Sequence, residues 1–172
     1  IGLYINGGKT ANIFYNTVYL DAASVGTNFS SAALWSTTTP TIDVRNNIFI
    51  NKSTPSGTGL TVAFMRSSAT LTSYSANSNR NNFYAGTPGA NRLIYCDPTN
   101  SDQLLTAFKT RVSPKDANSV TDNTAFVNTA LSPYDLHLSL CSSNQIESNG
   151  AIVSSPIAIT DDYDGNARYN NS

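Results

Sequence analysis

The densest group of chemically capable side chains is Asp161-Asp162-Tyr163-Asp164-Gly165-Asn166. Asp162, Asp164 and Asn166 stand at i, i+2 and i+4, and Gly165 lets the backbone bend sharply between them. Hard oxygen ligands spaced this way around a turn suit Ca²⁺. An EF-hand loop also needs a bidentate glutamate further on, and none follows here. The expectation is a structural Ca²⁺ held by Asp162, Asp164 and Asn166. Set against it is an Asx-rich turn in which the carboxylates accept backbone N–H groups and Arg168 pairs locally. No other cofactor is expected.

The remaining acids, Asp21, Asp43, Asp97, Asp116 and Asp122, have no acidic neighbour in sequence. Carboxylates one coil apart could still converge in space, so sequence distance alone does not exclude a catalytic pair. Asp43 and Arg45 alternate on one strand face, as an acid and base would, but exposed strand charges also block unwanted edge pairing. His137, the one histidine, could serve as a general base. It lies beside Asp135 on the polar side of an alternating run, where a solvated surface imidazole is the plainer expectation. The chain carries no G-x-S-x-G elbow and no phosphate-binding glycine loop. No catalytic residue is assigned. Cys96 and Cys141 are either one disulfide or two unrelated small apolar residues, and there is no Cys/His spacing for zinc.

The 172 residues hold one domain's worth of core. Charged residues are only 12% of the chain and the net charge is -1, which leaves no cationic excess for phosphate neutralisation and so excludes nucleic acid as a partner. Hydrophobic residues at 40% argue against disorder, and no apolar run is long enough to span a membrane. The surface is made of 21 Asn, 22 Ser and 20 Thr, with 4 Lys and 1 Glu. Helical surfaces prefer Lys and Glu, whereas Asn, Ser and Thr favour turns and strands. The composition therefore reads as all-β.

Internal repetition gives that reading a shape. Asn12-Ile13-Phe14-Tyr15-Asn16 returns as Asn47-Ile48-Phe49-Ile50-Asn51, then as Asn81-Asn82-Phe83-Tyr84, and more loosely as Asn123-Thr124-Ala125-Phe126. Short β-prone runs lie between the copies, at 17–20, 32–35, 42–44, 60–65, 92–95 and 136–140. Asp102 to Val112 reads as an amphipathic helix, with Leu104, Leu105, Phe108 and Val112 as its stripe and Pro114 ending it. The period predicts a right-handed parallel β-helix of about four coils, with one short helix inserted near 102–112. Its interior would stack Phe14, Phe49, Phe83 and Phe126 in one column. Its corners would carry a hydrogen-bonded ladder of Asn12, Asn47, Asn81 and Asn123, since asparagine tolerates the left-handed backbone and both donates and accepts. An antiparallel sandwich is the alternative.

The segments "NIFYNTVYLDA", "VRNNIFINKS", "NNFYAGTPGANRLIY" and "DLHLS", with the closing "DDYDGNARYN", resemble the right-handed β-helix repeat proteins of the pectin-lyase-like superfamily. They look in particular like the C-terminal coils of large secreted or cell-surface proteins of Bacteroidetes-type bacteria. The resemblance implies export and surface attachment. It also implies that residues 1–172 are a single β-helix domain, a fragment or C-terminal part of a larger secreted protein, to which a further C-terminal region would ordinarily belong. The functional expectation is a non-enzymatic extracellular scaffold or adhesion segment that contacts glycans through exposed aromatics. Cell-surface polysaccharide, or other copies or coils of the parent protein, would be its partners. The alternatives are the distal half of a polysaccharide lyase or glycoside hydrolase, and a carbohydrate-binding module.

Overall fold

The computed structural model describes residues 1–139 and 143–168. Leu140 at the end of the alternating run, Cys141 and any bond it makes to Cys96, and residues 169–172 lie outside the described residues. The chain winds as a β-solenoid of about three turns, one fewer than the repeat count predicts.

Each turn places strands on three faces. The first coil is β1 (Leu3–Ile5), β2 (Thr10–Phe14) and β3 (Thr17–Leu20); the second is β4 (Ser31–Ser36), β5 (Thr41–Arg45) and β6 (Ile48–Asn51). The third contains β7 (Thr61–Arg66) and β8 (Asn82–Tyr84), and single bridges from Tyr74 to Ile42 and from Asn79 to Arg45 stand in for its middle strand. β9 (Arg92–Cys96) opens a further coil on the first face, where β1, β4, β7 and β9 run parallel. β10 (Ser101–Asp102) then turns back antiparallel on β9, and the winding resumes after it only as a single parallel bridge from Val120 to Asn82.

In-register stacking fills the interior. Leu3, Leu34, Phe64 and Tyr95 align on one face, and Val18, Phe49 and Phe83 on another. Phe83 lies nearly parallel to both Phe49 and Phe64, with ring centroids 5.8 and 5.9 Å apart. Burying each such ring contributes about 1.5–3 kcal/mol. The helix α1 (Leu105–Val112) closes the end of this core: Phe108 stacks on Tyr95 at 5.0 Å and meets Phe83 edge-on at 5.5 Å.

Several sequence expectations shift here. α1 begins at Leu105, while Asp102 belongs to β10 and binds Arg111 across the helix with two hydrogen bonds of 2.6 and 2.7 Å. Phe108 and Val112 are buried, but Leu104 is 54% exposed. Phe14 is not in the aromatic column. It pairs in register with Arg45, whose guanidinium covers its ring, and Val18 holds the column position instead. Phe126 is outside the solenoid altogether. It sits on β11 (Phe126–Asn128), antiparallel to β12 (Asp135–Leu138), and packs edge-on against Tyr19.

Candidate functional site

The corner between the second and third faces is the most organised polar feature. Asn16 donates its backbone N–H and its side-chain amide to Asn47 Oδ1 at 2.9 and 3.0 Å. Asn47 makes the same two bonds to Asn81 Oδ1 at 3.1 and 3.0 Å. In the next turn Ser119 and Asp116 share the role: Asn81 N–H goes to Ser119 Oγ at 2.9 Å, and its amide to Asp116 Oδ1 at 3.0 Å.

Asn12 and Asn123 take no part in this chain. Asn12 is exposed on β2 opposite Asp43, four residues from the corner, and Asn123 is exposed beyond it. The match between Asn12-Ile13-Phe14 and Asn47-Ile48-Phe49 is a coincidence of letters. The register instead equates Asn16-Thr17-Val18-Tyr19 with Asn47-Ile48-Phe49-Ile50 and Asn81-Asn82-Phe83-Tyr84. The signal that finds it is the strand pattern after the asparagine, with valine allowed in place of phenylalanine. Nor are the ladder asparagines themselves left-handed, although Asp116 at the ladder's end is, with φ 53°. The residue before each asparagine is: Tyr15, Asn46 and Arg80 have φ of 54°, 56° and 57°.

Those three residues aim at one common target. Tyr15 Oη donates to the Ala151 carbonyl at 2.6 Å; Asn46 bonds both the N–H and the carbonyl of Ala151 at 3.0 and 2.9 Å; and Arg80 donates to the Asn149 carbonyl at 2.8 Å. Upstream, Gln145 binds Asp122 and Thr121, and the Asn149 amide binds the Asn118 carbonyl. Residues 145–151 thus form a strap that crosses the solenoid corner against the direction of winding. Between strap and corner lies an open groove of about 410 Å³, lined by Arg45, Asn46, Asn79, Arg80 and Ile152 among others. Each left-handed corner costs about 1–2 kcal/mol for a residue with a Cβ, and its outward side chain recovers part of that by holding the strap.

The buried Asp116 ends the ladder. It accepts from Ser119 Oγ at 2.6 Å, from the Asn81 amide and from Tyr74 Oη. Burial pushes its carboxyl above the usual range, opposed by those three donors. Burial likewise raises the Tyr74 hydroxyl well above its ordinary value, and the Asp116 charge adds to it.

The acidic turn gathers the residues read as calcium ligands, and gives them separate tasks. Asp162 Oδ1 accepts the N–H of Asp164 at 3.0 Å and of Asn166 at 2.8 Å, while Asp164 reaches out to His137 Nε2 at 2.8 Å. Arg168 does pair within the turn, through its Nε to the Asp161 carbonyl, and its guanidinium lies 3.9 Å from the centre of the Tyr15 ring. Among the described residues no group of three or more His, Cys, Asp or Glu side chains is arranged to hold a metal ion.

Asp43 and Arg45 are bound to each other by a bidentate pair, and the Asp43 hydrogen bond holds the guanidinium above its ordinary value. Burial pushes Asp97 up, but bonds from Asn100, Thr99 and Tyr95 outweigh it and hold the carboxyl below its usual range. Burial raises the Cys96 thiol, which disfavours the nucleophilic thiolate. On the outward side of the first face, Tyr4, Trp35, Met65 and Cys96 form an in-register column. Tyr4 and Trp35 lie 5.1 Å apart at 46°, with Tyr4 46% exposed. No helix among the described residues is long and apolar enough to cross a membrane. No protein family, curated protein or solved structure matches this chain.

Proposed function

We propose that this chain is a non-enzymatic scaffold segment of an extracellular or cell-surface protein, working as a stiff β-solenoid spacer. The observation that carries the reading is the unbroken axial run of hydrogen bonds from Asn16 through Asn47 and Asn81 to Asp116. It couples successive coils along the corner, so bending the axis strains side-chain bonds as well as the parallel sheets. The acidic side chains that could do chemistry are committed to structural contacts: Asp43 to Arg45, Asp102 to Arg111, Asp97 to its turn, and Asp116 to the ladder.

The test is a turnover assay on acidic and neutral polysaccharides, reading reducing or unsaturated ends, alongside native-state hydrogen exchange. The reading expects no new ends and a single slow-exchanging block spanning β3, β6 and β8. Catalytic turnover, or coils that open independently, would overturn it.

A second reading rests on the Tyr4–Trp35 pair. The exposed Tyr4 ring, tilted against a partly buried Trp35 on the outward side of the first face, offers a stacking surface for the apolar side of a sugar ring. A glycan array with the intact protein tests it. Binding that is lost in both Tyr4→Ala and Trp35→Ala supports this contact, and binding that persists in both refutes it.

A further inference from the structure

The groove between strap and corner has a one-sided chemistry. Its volume of about 410 Å³ lies in the range that accepts small ligands. Arg45, Asn77, Asn79 and Arg80 line it from the solenoid, and Ile152 and Ser155 line it from the segment that continues the strap. Two of these side chains are guanidinium groups and none is a carboxylate. Arg45 is neutralised by Asp43, but Arg80 has no carboxylate at ion-pair distance among the described residues.

The fold also leaves hydrogen-bond donors over in this groove. Arg80 gives one N–H to the Asn149 carbonyl at 2.8 Å, and its guanidinium makes no other hydrogen bond among the described residues. Arg45 directs Nε and Nη2 at Asp43, so Nη1 is without a partner. Asn79 Oδ1 accepts the N–H groups of Arg80 and Asn118, while its amide nitrogen donates to nothing described. The side chains of Asn77 and Ser155 are likewise unengaged. These donors come from three places: the end of β5 in the second coil, residues 77–80 in the third, and the continuation of the strap. A planar carboxylate is matched by a single guanidinium fork and would leave the rest idle. An anion whose oxygens point to several sides can engage all three walls.

We propose that this groove binds a tetrahedral oxyanion, a phosphate or sulfate group either free or carried as a monoester on a sugar. Arg80 supplies the uncompensated charge, and the Asn77 and Asn79 amides, Arg45 Nη1 and the Ser155 hydroxyl supply further donors. Because its walls belong to both the solenoid and the strap segment, the bound anion fastens one to the other. The site is independent of the scaffold reading and of the Tyr4–Trp35 surface, which lies on the first face.

The test is an NMR titration of the whole chain at constant ionic strength, so that general screening does not count as binding. The probes are inorganic phosphate, inorganic sulfate, glucose 6-phosphate and acetate. Phosphate or sulfate should give saturable shifts of the Asn77 and Arg80 amides and slow exchange of the Ala151 amide. Arg80→Gln should weaken binding by at least about tenfold, since it removes a hydrogen bond between charged groups. Arg80→Lys, which keeps the charge and loses the fork, should fall between the two. The Asn77 side chain holds nothing in the free protein, so Asn77→Ala should fold like the parent chain and weaken binding about threefold. That variant keeps the test decisive even where Arg80→Gln loosens the strap. Glucose 6-phosphate binding more tightly than inorganic phosphate supports a sugar-borne group, and equal affinities support the free anion. The absence of saturable shifts with every phosphate and sulfate probe overturns the proposal. So does acetate binding as tightly as phosphate, or an affinity unchanged in both Arg80→Gln and Asn77→Ala.

Discussion

Asn47 Oδ1 receives two hydrogen bonds from Asn16, 31 residues earlier, and none from Asn12, 35 residues earlier. The two candidates differ by four positions, yet the choice decides which side chains meet in every coil. A parallel stack is read through its hydrogen-bond register, and the residue directly above Asn47 is the one that closes the corner.

Asn47 is therefore expected to be worth far more than its look-alike. Asn47→Ala strands the Asn16 and Asn81 groups that it pairs at a buried corner, and should cost about 2–4 kcal/mol. Asn12→Ala should stay within about 0.5 kcal/mol of the parent chain. Urea unfolding curves check both, and equal midpoints for the two variants would contradict the assigned register.

Phe108 plugs the end of the core. Phe108→Ala should destabilise by about 3–5 kcal/mol, because it removes contacts to Phe64, Phe83 and Tyr95 at once and leaves a cavity that the fixed coils cannot close. Leu104→Ala, on the exposed side of the entry to α1, should change stability by less than about 0.5 kcal/mol. Chemical denaturation of the pair gives the comparison.

The raised Asp116 carboxyl makes a signed prediction about pH. Its pKa is higher folded than unfolded, so the native state binds the proton more tightly. This group therefore favours folding at acidic pH, and that contribution is lost as pH rises from the unfolded value through the folded one. Asp116→Asn removes the titration. The difference in unfolding free energy between Asp116→Asn and the parent chain should move toward the variant as pH increases, then level off. A difference that stays constant across pH 3 to 7 would show that Asp116 titrates alike in both states.

At Asn46 the strap and the left-handed corner can be separated. Asn46→Gly keeps the backbone conformation and removes the Cβ strain but deletes both bonds to Ala151, while Asn46→Ala deletes the bonds and retains that strain. Both variants should speed exchange of the Ala151 amide. Asn46→Ala should be less stable than Asn46→Gly by about 1 kcal/mol. Thermal unfolding orders the two, and unchanged Ala151 exchange would mean that Asn46 does not hold the strap.

Much of the solenoid is legible in the letters. The strands at 17–20, 42–44 and 92–95 fall inside β3, β5 and β9, because β-branched and aromatic residues bounded by Gly, Asn and Pro leave little choice. What misled was a local string. Asn12-Ile13-Phe14 looks like the repeat, but Phe14 answers Arg45 and not Phe49, and only pairing between coils reveals that. The fourth copy failed for a related reason. After α1 packs on Phe83 the spiral resumes only briefly, through the parallel bridge of Val120 to Asn82, and Phe126 lies beyond it in the antiparallel β11–β12 pair, so Asn123 and Phe126 fall outside the stacked columns. The strap was invisible because its partners are main-chain groups of Asn149 and Ala151, which carry no mark in sequence.

The ladder also has a polarity. From asparagine to asparagine the donation runs toward the following coil and the side-chain oxygen accepts from the preceding one, while Asn47 and Asn81 also donate back to the Ile13 and Val44 carbonyls, so each rung can pass the pattern along. Asp116 cannot: an ionised carboxylate has only lone pairs to present and nothing to hand on. It works as a punctuation mark. Among the described residues the oxygen of Asn16 receives no such gift, so duplication of a coil unit could lengthen this architecture ahead of Asn16, whereas insertion after Asp116 would first have to replace that acid with an amide.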